Sequence, residues 1–219
     1  MLMNNVTLKE LQNNLLFRGG EKFRALAPNV AIGILEKFLS HKNSELKLRA
    51  LEKMCDYPGK RATSAFRDSL KHNRNLLVKI SAIEGVQNLR LLILVPELKV
   101  ALSDNSPMVR GYSAVALADL LGIRAMPHLS RALSSERSTW ARAAIQLAIY
   151  MTGADNDVAK ILIFLKSKQY RVRSFVINNL ETICTKKNRQ IIRGALRKQM
   201  DIETSLAVSS ALKKVLRNI

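Results

Sequence analysis

The 219 residues include 36 Lys or Arg against 17 Asp or Glu, a formal net charge of +19, while 47 % are apolar. That share of apolar side chains excludes a disordered basic tail, and nine Gly with five Pro are too few for an all-β sandwich with its many tight turns. Two cysteines, Cys55 and Cys184, do not make a secreted disulfide scaffold and read as small core residues of a reduced protein.

At the start of the chain, residues 1–12 hold no basic segment followed by an apolar run, so no signal peptide is expected. The most apolar stretch, Leu91–Val95, is closed by Pro96 and is far too short to span a bilayer. Both points lead to the expectation of a cytoplasmic protein with no membrane contact. Thr7 predicts a helix N-cap with Glu10 three residues on, the spacing of a capping box, and the helix should run to Phe17 before Arg18-Gly19-Gly20 stops it. Residues 1–28 are read as an N-terminal cap and residues 29–219 as one domain.

From Asn29 onward the sequence repeats. The clearest unit places Pro107 in a first helical turn, with Val109, Ser113, Ala116, Leu117 and Leu120 at helical spacing behind it. The position of Arg110 is filled in turn by Lys47, Lys79, Arg110, Arg142, Arg173 and Ser205, at steps of 31 or 32 residues. A second row, in the preceding helix, holds Leu39, Leu70, Leu102, Leu133, Leu165 and Leu196 in the same phase. Two rows in register predict pairs of helices, each pair burying the apolar stripe of its neighbour. Ala50, Ala82, Ser113, Val176 and Val208 are expected where helices approach closely, with Ile145 as the bulky exception. The sixth pair is read as Asn188–Lys198 followed by Glu203 to the last residue.

The pattern Pro-x-Val-Arg-x-x-Ser-x-x-Ala-Leu over Pro107–Leu117 resembles that of the HEAT repeat superfamily. Its short period is similar to the compact repeats of phycobilisome-lyase-type proteins. This resemblance covers Asn29 to Ile219 and implies an all-α fold, a right-handed α-solenoid (α–α superhelix) of about six HEAT-like helical pairs whose second helices line a concave face.

On such a face Lys47, Lys79, Arg110, Arg142 and Arg173 would form a ridge of cations. A structural reading pairs each with a turn acid. Six residues before them stand His41, Asn73, Asp104, Glu136 and Ser167, with Gln199 in the sixth turn, so only two of the turns carry an acid. By that count Lys47, Lys79 and Arg173 are the members least neutralised. Charge also concentrates late: residues 160–219 hold fourteen Lys or Arg against three acids, an excess of eleven. Lys186, Lys187 and Arg189 form its densest stretch, and Arg189, Arg193 and Arg197 share one helical face at i, i+4, i+8. Lys168 and Arg171, with Arg173, are expected to add to the same end. Trp140, the one tryptophan, is either an apolar plug or a partner anchor.

Catalytic signatures are missing from the sequence: no Walker A loop, GxGxxG, HExxH or GxSxG occurs. His41 and His72 lie 31 residues apart without further ligands at metal-binding spacing, and neither cysteine has a sequence partner for nucleophilic chemistry. A glycosylase of alkylated bases, built on similar repeats, would need an aromatic cage that Trp140 with Asp155 and Asp157 does not supply. The expectation is therefore no enzyme, no cofactor, no metal and no small-molecule substrate. What remains is a binding protein that takes an acidic protein partner, as an adaptor or a toxin-neutralising immunity protein by analogy. The alternative is a DNA or RNA duplex held by its backbone, with a glycosylase-like enzyme for alkylated bases ranked behind it.

Overall fold

A computed structural model describes Thr7–Ile219; residues 1–6 of the expected cap lie outside the described residues. Helices account for the ordered structure, and no strand occurs among the described residues. The chain forms two compact units, one through Ala116 and one from Leu117.

In the first unit α1 (Leu8–Phe17) starts as expected: the Glu10 N–H donates to Thr7 Oγ1 at 3.2 Å and the Thr7 N–H to Glu10 Oε2 at 2.7 Å. Gly19 and Gly20 then take left-handed φ of 62° and 74° and turn the chain. A 3₁₀ turn (Glu21–Ala25) leads to α2 (Pro28–Leu39), α3 (Ser44–Met54), α4 (Lys60–His72), α5 (Leu76–Asn88) and, after a second 3₁₀ turn (Leu92–Leu94), α6 (Val95–Ala101). The first helices α2, α4 and α6 pack in one row, and the second helices α3 and α5 pack in another. α1 packs on α3, taking the place of a second helix ahead of the first pair. α7 (Pro107–Leu121) is the next helix in the chain, and the first unit ends within it, at Ala116.

The second unit contains α8 (Met126–Ser135), α9 (Thr139–Met151), α10 (Ala159–Leu162) with a 3₁₀ extension to Lys166, α11 (Tyr170–Ile183), α12 (Arg189–Ile202) and α13 (Leu206–Asn218). Its second helices α9, α11 and α13 again pack side by side. The all-α arrangement of six helical pairs is thus the one that the repeat predicts.

The core is organised in rows. One row of second-helix residues, three after each N-cap, is Leu46, Val78, Val109, Ala141, Val172 and Val208, none more than 1 % exposed. The leucine row is only partly deep: Leu39 and Leu133 are half-buried. The fully buried row of the first helices lies one turn earlier, at Leu35, Phe66, Leu98, Leu129, Ile161 and Ile192. Burying each such side chain stabilises by about 1.5–3 kcal/mol, so these rows outweigh surface ion pairs such as Arg49–Glu45, worth about 0–1 kcal/mol.

The sixth pair departs from the expected phase. α12 continues to Ile202, one helical turn beyond Lys198, so nine residues separate Leu196 from the N-cap Ser205, against four or five in the other pairs. Ser205 is therefore not the sixth member of the cation row; Ser209 holds that place. The sixth turn residue is Glu203 rather than Gln199, and Leu212 rather than Val208 joins Ala50 and Ala82. The two cysteines are half-buried rather than core.

Candidate functional site

Each pair turns through the same short loop, and the residue two before each N-cap closes it. The N-cap N–H of Asn43 donates to His41 Nδ1 at 3.1 Å, that of Asn75 to Asn73 Oδ1 at 2.9 Å, that of Ser106 to Asp104 Oδ1 at 2.8 Å. In the second unit Ser138 donates to Glu136 Oε1 at 2.8 Å, Gln169 to Ser167 Oγ at 3.2 Å and Ser205 to Glu203 Oε1 at 2.9 Å. These six acceptors satisfy backbone donors that the turn would otherwise leave unpaired.

The cations of the ladder stand four residues after the N-cap and reach back to the same loop. Arg110 Nη1 donates to the Asp104 and Asn105 carbonyls at 2.8 and 3.1 Å, Arg142 Nη1 to the Glu136 carbonyl at 3.1 Å, and Arg173 Nη1 to the Ser167 and Lys168 carbonyls at 2.7 and 3.2 Å. Charge pairing then crosses to the following turn. Lys79 Nζ meets Asp104 Oδ2 at 2.5 Å, and Arg173 binds both oxygens of Glu203 at 2.6 and 2.7 Å. The expectation that Lys79 and Arg173 escape neutralisation is corrected: the acid comes from the next repeat, not from their own turn. Burial alone would raise the Asp104 carboxyl, but the Lys79 ammonium and the Ser106 N–H more than offset it and hold it below the ordinary range. The turn after Lys47 carries Asn73 and the turn after Arg142 carries Ser167; among the described residues neither cation has a carboxylate partner.

One row escaped the sequence reading. The residue just before the N-cap is Lys42 or Arg74 in the first unit and Arg137 or Lys168 in the second, each exposed and without an ion pair among the described residues. Reading the period one residue ahead of each helix start would have found it.

The basic residues expected at one end divide between two edges of the second unit. Lys168 and Arg171 stand at the start of α11, while Lys186, Lys187 and Arg189 follow its end. A 14-residue helix separates the two groups by about 21 Å. Buried Asn188 fixes the second turn, donating to the Ile183 carbonyl at 2.9 Å and to Tyr150 Oη at 2.8 Å. Of the i, i+4, i+8 set, Arg189 and Arg197 are exposed, but Arg193 is half-buried and donates to the Ile219 carbonyl. Trp140 packs on Phe175 with ring centroids 4.8 Å apart, so it joins α9 to α11 as an apolar plug. Arg171 lies 5.9 Å from the Tyr170 ring centroid.

No cluster of three or more metal-ligating side chains occurs among the described residues. Burial, reinforced by Asp56, Glu52 and Glu84, pushes the Cys55 thiol up, which keeps it protonated and a poor nucleophile. No described helix is long and apolar enough to cross a membrane.

No protein-family model matches the chain, and no curated protein matches it. Among solved structures the chain is similar to the complex of CpcE and CpcF of phycocyanin lyase from Nostoc sp. PCC7120, at 16 % identity and a TM-score of 0.50, over 88 % of this chain and 94 % of that one. The likeness is one of fold, and it sets the chain among helical-repeat structures. It also corrects the expectation of no enzyme: the similar structure belongs to a lyase, so a helical-repeat fold does not exclude catalysis.

Proposed function

We propose that this chain binds an acidic protein partner through the turn edge of its last two helical pairs. The observation that carries this reading is a mixed surface at the starts of α11 and α13. Exposed Lys168 and Arg171 stand there with Tyr170, Ile202 and Leu206, which are 48 %, 72 % and 88 % exposed. The Arg173–Glu203 bond keeps the two turns adjacent. Apolar side chains left in water beside arginine and tyrosine are the composition of a protein interface. A phosphate backbone would need the cations alone. The similar solved structure is itself a complex of two proteins, CpcE and CpcF. The adaptor and immunity-protein forms of this reading share the surface and differ in what the partner does.

The test is affinity capture from a lysate of the source cell, comparing wild type with K168E/R171E and with I202S/L206S, alongside titration of a DNA duplex. Capture of one acidic protein, weakened roughly tenfold or more by both double variants, is expected. Capture indifferent to I202S/L206S would overturn the assignment to this surface, and duplex binding with a steep salt dependence that K168E/R171E removes would overturn it in favour of nucleic acid.

A further inference from the structure

The molecule contains its own template for what a ladder cation binds. Arg173 is anchored by Nη1 on the Ser167 carbonyl, and its other edge, Nε and Nη2, holds the two oxygens of Glu203 from the next turn. Lys79 is completed in the same way by Asp104. Arg142 has the same anchor: its Nη1 donates to the Glu136 carbonyl at 3.1 Å. Here the position that corresponds to Glu203 is Ser167, whose hydroxyl is occupied by the Gln169 N–H. Among the described residues Arg142 Nε and Nη2 hold no hydrogen bond, and the side chain is exposed where the completed Arg173 is only 12 % exposed.

The Glu136 carboxylate of the same turn is engaged by the Ser138 N–H, and the exposed charges flanking this open edge are positive. Arg137 and Lys168, at the apices of the turns before α9 and α11, are exposed and unpaired among the described residues, and Arg171 follows two residues after the N-cap of α11. The Trp140–Phe175 contact packs the first turn of α9 on α11, and the Glu136 carbonyl anchors one edge of the guanidinium. A planar pair of N–H groups with one edge already oriented matches the two oxygens of a carboxylate.

We infer that Arg142 is a carboxylate-binding site, completed by an Asp or Glu side chain of the protein partner that enters where Glu203 enters on Arg173. The source of the carboxylate rests on the proposed function; the site itself does not. In this repeat the partner supplies the acid that the chain itself supplies to Lys79 and Arg173.

The experiment follows the side-chain Nε–H signals of the ¹⁵N-labelled full chain at physiological salt, the Arg142 signal being the one lost in R142K. The probe is hexaglutamate with blocked ends. The Arg142 signal is expected to shift saturably, and R142K, which keeps the charge and loses the fork, to weaken the peptide about tenfold. Ser167→Glu restores the missing acid: it should move the Arg142 signal without peptide and weaken the peptide to the same extent. A signal unmoved by saturating peptide, or a peptide affinity that both R142K and S167E leave intact, overturns the site. Tighter titration by inorganic phosphate than by hexaglutamate overturns its assignment to carboxylates. If Arg142 titrates and wild type captures no protein, the site stands and the partner reading fails; if capture persists in S167E and Arg142 stays silent, the site fails alone.

Discussion

Arg173 and Glu203, thirty residues apart, meet through two parallel hydrogen bonds of 2.6 and 2.7 Å, and the Glu203 side chain has no solvent exposure at all. The same carboxylate accepts from Gln199 Nε2 at 2.8 Å and from the Ser205 N–H at 2.9 Å. One buried acid therefore ties α11 to the turn that opens α13. Removing its charge leaves the guanidinium buried without a counter-ion, a cost of about 3 kcal/mol or more. Glu203→Gln retains an acceptor for Ser205, so urea denaturation of E203Q reads the charge pair itself. A loss of that order is expected, whereas a loss of only a few tenths of a kcal/mol would mean that the pair behaves as a solvated one.

The same pair predicts an acid limb. The Arg173 guanidinium and the neighbouring donors hold the Glu203 carboxyl down to about 2, from an ordinary value of 4.5. Its contribution is full above the unfolded value and is lost as pH falls from about 4.5 towards 2, because protons then bind the unfolded chain in preference. The size is on the order of 3 kcal/mol, from about 1.36 kcal/mol per unit. Stability of wild type and E203Q, measured by urea midpoint against pH, should differ at pH 6 and converge near pH 2. Asp104 is also held low, but it is present in both proteins, so the difference isolates Glu203. Parallel curves down to pH 2 would refute the coupling.

In the first unit, Gly85 lies in α5 against the ring of Phe66 from α4. A Cβ added there would stand 2.3 Å from Phe66 Cε1 and 2.6 Å from Cζ. Alanine favours a helix over glycine by about 1 kcal/mol, but Phe66 is fully buried and its ring has nowhere to go without opening the core. Overpacking costs about 1–3 kcal/mol, so Gly85→Ala is expected to destabilise in spite of its better propensity. Phe66→Leu should relieve the clash, and the double-mutant cycle should show coupling of about 1 kcal/mol or more. Additive effects would indicate that the helices separate freely.

Much of the fold was legible because rows repeat in the chain. The Thr7–Glu10 box and the helix start at Pro107 follow from local residue chemistry. The deepest first-helix row was hidden because it mixes Leu, Phe and Ile, while the uniform leucines lie one turn shallower. The extra turn in α12 was hidden because Gln199 and Ser205 fit the period by number, and only the N-cap at Ser205 shows the slip. The site was read less well. Counting acids in the same turn misses a pairing that crosses to the next repeat, so Arg173 was placed among the unpaired cations and Arg142 was not singled out.

The N-terminal helix supplies a local test of the same logic. α1 buries Leu11 and Leu15 on the first unit, 3 % and 2 % exposed, and rests on α3 where another second helix would otherwise stand. Its start depends on the reciprocal bonds between Thr7 and Glu10, which also draw the Glu10 carboxyl below its ordinary range through the Thr7 N–H and hydroxyl. Thr7→Ala removes the Oγ1 acceptor of the Glu10 N–H, while the residue-7 N–H can still donate to Glu10, and should cost about 1 kcal/mol. That is about a fivefold loss of amide-exchange protection over residues 8–17, with α4 and α5 unchanged. Thr7→Ser, which keeps the acceptor, should restore most of it. Equal loss across the first unit in T7A would show that α1 opens only with the whole unit, and that the cap is part of its core rather than a lid laid upon it.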